Sequence, residues 1–207
     1  MNSFAVTGKA IPVIMARTKD FDEDEVLKKA VNLFWLKGYN ATSMQDLVDG
    51  LGISRSSLYD TYGDKHTLFI KALESYQNAS SGQMCNIINS DKPAKEIIRE
   101  LLRMIAGQLL SDRANKGCFM VNAEVEVGPH DPDVNQLICA GDQQVQDALY
   151  QVIKKGQENG GIRNSQDARA LARFIYNTVK GIQVTAKSTN DKAVFEDIIK
   201  TALSVLD

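Results

Sequence analysis

Apolar residues recur at three- and four-residue spacing along nearly the whole chain, the period of helices with one buried face. From Asp22 the run Val26, Leu27, Ala30, Val31, Leu33, Phe34 follows an acidic first turn and is closed by Gly38. "TSMQDLVDGLG" predicts a helix of about two turns, with Thr42 or Ser43 as its cap and Met44, Leu47, Val48 and Leu51 on one face. Gly52 then permits a left-handed turn. Ser54 caps a third helix with Leu58 as its single aliphatic anchor, and Asp64 caps a fourth carrying Leu68, Phe69, Ala72 and Leu73.

A fifth helix follows Pro93, with a stripe of Ile97, Leu101, Met104 and Ile105. Another begins at Asp131-Pro132 and ends at paired glycines, and two more are expected over residues 166–187 and 191–206. One segment has the other period. In "VNAEVEV" Val121, Ala123, Val125 and Val127 alternate with polar residues, as in a strand. A lone strand has no ladder partner, so a short helix is expected there too. The pattern predicts an all-α chain of about nine helices.

Composition narrows the function. The 207 residues hold 43% apolar side chains, enough for a real core, and the formal net charge of −2 advertises neither a nucleic-acid nor a membrane partner globally. Any such partner must be met by local charge. Cys85, Cys118 and Cys139 are an odd set without metal-type spacing, which points to the reducing cytoplasm. No apolar run reaches the ~20 residues that a bilayer span needs. Residues 1–14 lack periodicity, and the first sixteen are expected to form a disordered arm. His66 and His130 lie far apart in sequence, and no nucleophile elbow, zinc motif or phosphate loop occurs. No enzyme, cofactor or metal site is expected.

The stretch "LGISRSSLYDTYGDK", residues 51–65, concentrates hydrogen-bonding side chains on one short helix. A short helix, a glycine turn and a second helix opening Ser-Arg-Ser-Ser make a helix-turn-helix pattern, whose second helix can enter a DNA major groove. With Ile53 and Leu58 turned inward against Leu47 and Leu51, Arg55, Ser56, Ser57 and Tyr59 are left outside. Arginine pairs bidentately with guanine, and hydroxyls meet base edges or phosphates. Serines at a helix start are equally at home as caps.

The run "FWLKGYNATSMQDLVDGLGISRSSLYDTYGDKHTLF" resembles the DNA-binding region of the TetR family of bacterial repressors. Gly38-Tyr39, Thr42, Gly52-Ile53-Ser54, Leu58-Tyr59, Tyr62 and Lys65 carry the resemblance. It covers roughly residues 22–70. The resemblance implies a double-stranded DNA operator as partner, with phosphate contacts from Thr42, Tyr59 and Lys65 and base contacts from Arg55, Ser56 and Ser57. Ser43, Ser54 and Tyr62 complete the expected DNA-facing set. Asp60 and Thr61 depart from the aromatic or histidine residues of many members. Residues 17–70 also hold seven Lys/Arg against nine Asp/Glu, a deficit of two, so a modest salt dependence per subunit is expected.

The expected division is an N-terminal arm (1–16), a three-helix helix-turn-helix domain (17–70) and a helical effector-binding and dimerisation domain (71–207). Family resemblance implies a small-molecule effector among the later helices and a homodimer through the last two. Met84, Ile88, Met104, Phe119, Met120, Tyr150, Phe174 and Asn177 are the candidate pocket residues, joining adaptable apolar groups to polar handles. Cys118 is added as a redox or electrophile sensor, because Arg113 and Lys116 nearby in sequence could lower its pKa. Ile175, Val179 and Ile182 lie on one stripe, Phe195, Ile199, Ala202 and Leu203 on another, and Gly181 would let two helices approach closely. Pattern alone fits an internal core equally well; a reader of palindromic DNA requires paired subunits, which assigns them to an interface. The reading is a ligand-responsive transcriptional regulator, a repressor released by a small-molecule or redox signal. The rival is a helical carrier or enzyme retaining only the helix-turn-helix shape.

Overall fold

The computed structural model describes residues 21–111 and 116–207. Among them are nine helices and no strand: α1 (Glu23–Lys37), α2 (Met44–Leu51), α3 (Arg55–Tyr62), α4 (Lys65–Ile88), α5 (Ala94–Ser111), α6 (Phe119–Glu126), α7 (Pro132–Glu158), α8 (Ala168–Thr185) and α9 (Lys192–Ser204). The expected N-terminal arm lies outside the described residues. No helix among them is long and apolar enough to cross a membrane.

Local chemistry sets the boundaries. Asp22, Ser43, Ser54, Asp64 and Asp131 each accept a backbone N–H in the first turn of the helix that follows, satisfying donors that have no intrahelical partner. At α2 the cap is reciprocal: Ser43 Oγ accepts from the Asp46 N–H at 3.1 Å, and Asp46 Oδ2 accepts from the Ser43 N–H at 2.9 Å. Gly52 ends α2 at φ 70°, ψ 28°, a left-handed conformation natural to glycine. The alternating "VNAEVEV" segment is helical, as the missing ladder partner requires, and buries Phe119, Val121 and Ala123.

Two cores hold the chain. One gathers Val26, Phe34, Leu47, Leu51, Leu58, Leu68 and Phe69 of α1–α4 and continues into Phe119 and Ala123 of α6 and Val134 and Ile138 of α7. The other joins α5, the later part of α7, α8 and α9. The first core therefore does not end near residue 70. The long α4 and an aromatic chain cross that position: Tyr39 and Phe69 have ring centroids 4.7 Å apart, Phe69 and Phe119 5.8 Å, Phe119 and Tyr76 5.7 Å. The last two are edge-to-face, a geometry that adds about 0.5–1.5 kcal/mol per pair beyond area burial.

The last two helices correct the expected dimer residues. Ile175, Val179, Ile182, Phe195, Ile199, Ala202 and Leu203 are all buried within a single chain, where they pack α8 and α9 onto α5 and α7. A side chain already covered by its own subunit has no surface to offer a second one. The outward face instead carries Phe174, Val184 and Val194, 44%, 52% and 36% exposed, with Gly181 among them and open space beyond it.

Candidate functional site

The α2–α3 unit is built on buried anchors. Leu47, Leu51, Ile53 and Leu58 share the first core, and Leu58 has no exposed surface. On the opposite side of α3 Arg55, Ser56 and Tyr59 are exposed and Ser57 is half-buried. The Arg55 guanidinium lies 6.0 Å from the centre of the Tyr59 ring. Ser54 Oγ sits 2.9 Å from Ser56 Oγ and 2.8 Å from Ser57 Oγ, so three hydroxyls form one cluster over the start of the helix. Such an edge can donate and accept at several points at once, beside the five-donor fork of the guanidinium.

Two expected members of this surface are interior. Thr42 is fully buried, and its hydroxyl donates to the Gly38 carbonyl at 2.6 Å, which closes the α1–α2 turn. Tyr62 is 4% exposed, and its hydroxyl donates to the Glu23 carbonyl at 3.2 Å. Both are therefore corrected from DNA-facing to structural. Lys65 opens α4 half-buried, its ammonium 4.3 Å from the centre of the Tyr39 ring. Burial lowers its pKa, with Glu126 opposing.

Beyond the first core lies a cavity of ≈ 540 Å³ between α4, α5, α6, α7 and α8. Of the expected residues Met84, Ile88, Met104, Cys118 and Met120 border it. Four do not. Phe119 is taken up by the aromatic chain between Phe69 and Tyr76. Tyr150 lies under the Arg169 guanidinium, 4.2 Å from its ring centre. Phe174 and Asn177 are on the exposed side of α8, Phe174 beside a shallow groove with Ile198 and Thr201.

The cavity's polar corner was not anticipated. Lys180 Nζ donates to Glu124 Oε1 at 2.7 Å and Oε2 at 2.6 Å, and to Asp142 Oδ2; the Tyr176 hydroxyl donates to Asp142 Oδ1 at 2.5 Å. Burial alone would lower the Lys180 pKa, but the hydrogen bonds to Asp142 and Glu124 outweigh it and raise the value. Tyr176 is pushed far above the ordinary tyrosine range, first by burial and then by its bond to Asp142. Tyr176 and Lys180 stand four apart on α8, one helical face; their partners lie on other elements and leave no local spacing to read.

Cys118 does not have the acidic thiol expected of it. It is 7% exposed, and burial raises its pKa despite a contact from the Tyr76 hydroxyl, 3.8 Å from Sγ. Arg113 lies outside the described residues, and Lys116 is placed over the Trp35 ring, 4.1 Å from its centre. Trp35, from α1, also borders the cavity, and its indole N–H has no hydrogen-bond acceptor among the described residues. His66, at the start of α4, is half-buried. Its Nε2 lies 2.8 Å from Asp131 Oδ2, with Asp133 close by. Asp131 Oδ1 caps α7 by accepting from the Asp133 and Val134 amides, so this cluster joins the start of α4 to the α7 cap.

Helix α6 touches both regions. Glu124 is in the cavity wall, and two residues on Glu126 accepts the backbone N–H groups of Tyr39 at 3.1 Å and Asn40 at 2.8 Å in the α1–α2 turn. Gly38 makes room for this contact: a Cβ there would lie 2.7 Å from Glu126 Oε2, and its φ is +82°.

Comparison with known proteins matches both halves. Residues 26–72 fit the model of "Bacterial regulatory proteins, tetR family", and residues 94–202 that of "Tetracyclin repressor-like, C-terminal domain". The HTH-type transcriptional regulator YezE of Bacillus subtilis (strain 168) is 34% identical over 194 residues, 93% of this chain and 100% of the relative. The HTH-type transcriptional repressor ComR of Escherichia coli (strain K12) is 28% identical over 83% of this chain and 82% of its own. Among solved structures, a cysteine mutant of the TetR family transcriptional regulator CifR, complexed with 26-bp double-strand operator DNA, superposes with a TM-score of 0.83. It is 26% identical and covers 93% of this chain and all of its own.

Proposed function

This chain belongs to the TetR family of bacterial transcriptional regulators, and from that premise we propose that it is a homodimeric repressor, released from a palindromic operator when a small molecule fills the cavity. The exposed Arg55–Ser56–Tyr59 edge of α3, held on the fully buried Leu58, carries the reading. Arg55 and Ser56 read base edges, with Ser57 beside them, and Tyr59, Lys65 and the caps Ser43 and Ser54 meet phosphates. Few of these are charged, so phosphate neutralisation per subunit is small and the salt slope shallow.

Two copies pair through the outward face of α8 and α9, which sets the α3 helices in successive major grooves with half-site centres about 34–36 Å or a multiple apart. The effector acts by favouring a conformer with the wrong separation. A coupling of about 1–3 kcal/mol would weaken operator binding about 5–150-fold. The contacts that can carry it are the aromatic chain and the Glu126 clamp. The small-molecule signal is favoured over a thiol signal because the Cys118 thiol is buried and its pKa raised. A helical carrier or enzyme is not favoured, since the family matches include the head itself. The protein works where its DNA is, in the cytoplasm.

Selection of fragments from sheared genomic DNA by the purified protein tests this. A recovered palindrome bound by a dimer supports it, and a folded dimer that retains no fragment at low salt overturns it.

A further inference from the structure

We propose that the effector is an organic monocation, an amine on an apolar or aromatic body whose ammonium docks against Glu124 and Asp142. The inference rests on the cavity being the effector site. Three charged side chains border it among the described residues, Glu124, Asp142 and Lys180, for a formal sum of −1. Lysine has three N–H donors and no acceptor. Here three contacts absorb them: both oxygens of Glu124 and one of Asp142. The Tyr176 hydroxyl proton goes to the other Asp142 oxygen. The donors of this corner are spent, whereas each carboxylate oxygen keeps further acceptor capacity.

A carboxylate or phosphate ligand would meet no remaining donor on Lys180 and would add like charge to a wall already negative. An ammonium cancels the excess and gains charge-assisted hydrogen bonds. Met84, Met104 and Met120 supply an adaptable apolar lining for the body of such a ligand, and Trp35 and Tyr76 supply aromatic faces. The position also gives the ligand purchase on the head. An amine that competes with Lys180 for Glu124 acts on α6, the helix whose Glu126 holds the Tyr39 and Asn40 amides.

Calorimetric titration of the full-length protein, without DNA, with naphthylethylamine, naphthylethanol and naphthylacetate tests the assignment, because the three share one body and differ in the charge of the head. The amine should bind about ten-fold or more tightly than the alcohol, a step of ~1.4 kcal/mol, with the acid weakest. Glu124→Gln, which brings the lining sum to zero, should collapse the preference for amine over alcohol. Lys180→Met, which leaves both carboxylates uncovered, should enlarge it. A merely structural corner would weaken all three probes alike in both variants. If either variant fails to fold by circular dichroism, the wild-type order still decides. An amine that binds no better than the alcohol or the acid, or that does not bind at millimolar concentration, overturns the proposal. Operator binding is measured in parallel: ligand-sensitive operator binding with an acid-preferring cavity would sink the amine and keep the regulator, and amine binding without any operator would do the reverse.

Discussion

The Glu126 carboxylate accepts the backbone N–H of Asn40 at 2.8 Å, so the last residue of α6 holds the turn that leads from α1 into α2. The turn itself is tied by Thr42 to the Gly38 carbonyl and by the Gly38 N–H to Phe34. Glu126 thus braces two backbone amides of that turn. Glu126→Ala should lower stability to urea by about 1–3 kcal/mol, the range for stranding hydrogen-bonded partners of a charged group. Glu126→Gln keeps a carbonyl acceptor and should lose less. Equal losses in the two variants would show that packing, not acceptance from the amides, is what Glu126 contributes.

Thiol labelling should follow burial. Cys85 and Cys139 are exposed, whereas Cys118 is covered and its pKa raised by burial, which reduces the reactive thiolate at neutral pH. Mass spectrometry of iodoacetamide-treated native protein should find Cys85 and Cys139 modified well before Cys118. Reaction of Cys118 first would restore the sensor reading.

Acid should weaken the α2 cap through Asp46. Its pKa is depressed, chiefly by the hydrogen bond from Lys37 and then by those from Ser43. A carboxyl lowered in the folded state contributes stability that is present above its unfolded pKa, about 3.9, and is lost as pH falls below that value toward the folded one. Acid titrations followed by circular dichroism should therefore show a constant gap between wild type and Asp46→Asn above about pH 4, wild type the more stable, that closes progressively as pH falls below that value. A gap independent of pH would remove the charge from the explanation.

Dimerisation should depend on side chains that a single chain leaves uncovered. Val194→Asp or Phe174→Asp should give monomers in light scattering at concentrations where wild type is dimeric, with the helical spectrum retained. Leu36→Asp, at a residue 62% exposed on α1, serves as control and should remain dimeric. Dimers persisting in both α8 and α9 variants would place the interface elsewhere.

Much of the fold was legible because its signals are local. Caps such as Ser54 and Asp131, stops such as Gly38 and Gly52, and the apolar stripes depend on residues within a few positions of each other. The outward edge at Arg55 followed from the inward anchors Ile53 and Leu58. An apolar stripe does not name the surface that covers it, so Ile175 and Phe195, which face their own core, could be read as an interface. Thr42 and Tyr62 fit a family motif, but backbone carbonyls of Gly38 and Glu23 claim their hydroxyls. The corner of Glu124, Asp142, Tyr176 and Lys180 joins residues up to 56 positions apart on three helices, a separation that no local window spans.

The claim that α3 reads bases through Arg55 is tested by fluorescence anisotropy of the selected operator fragment with wild type and Arg55→Ala at one fixed salt concentration. A bidentate arginine–guanine contact is worth about 1–3 kcal/mol, so each half-site should lose about 5–150-fold in affinity while binding to unrelated DNA of equal length changes little. A variant that retains wild-type affinity and sequence preference would contradict the account.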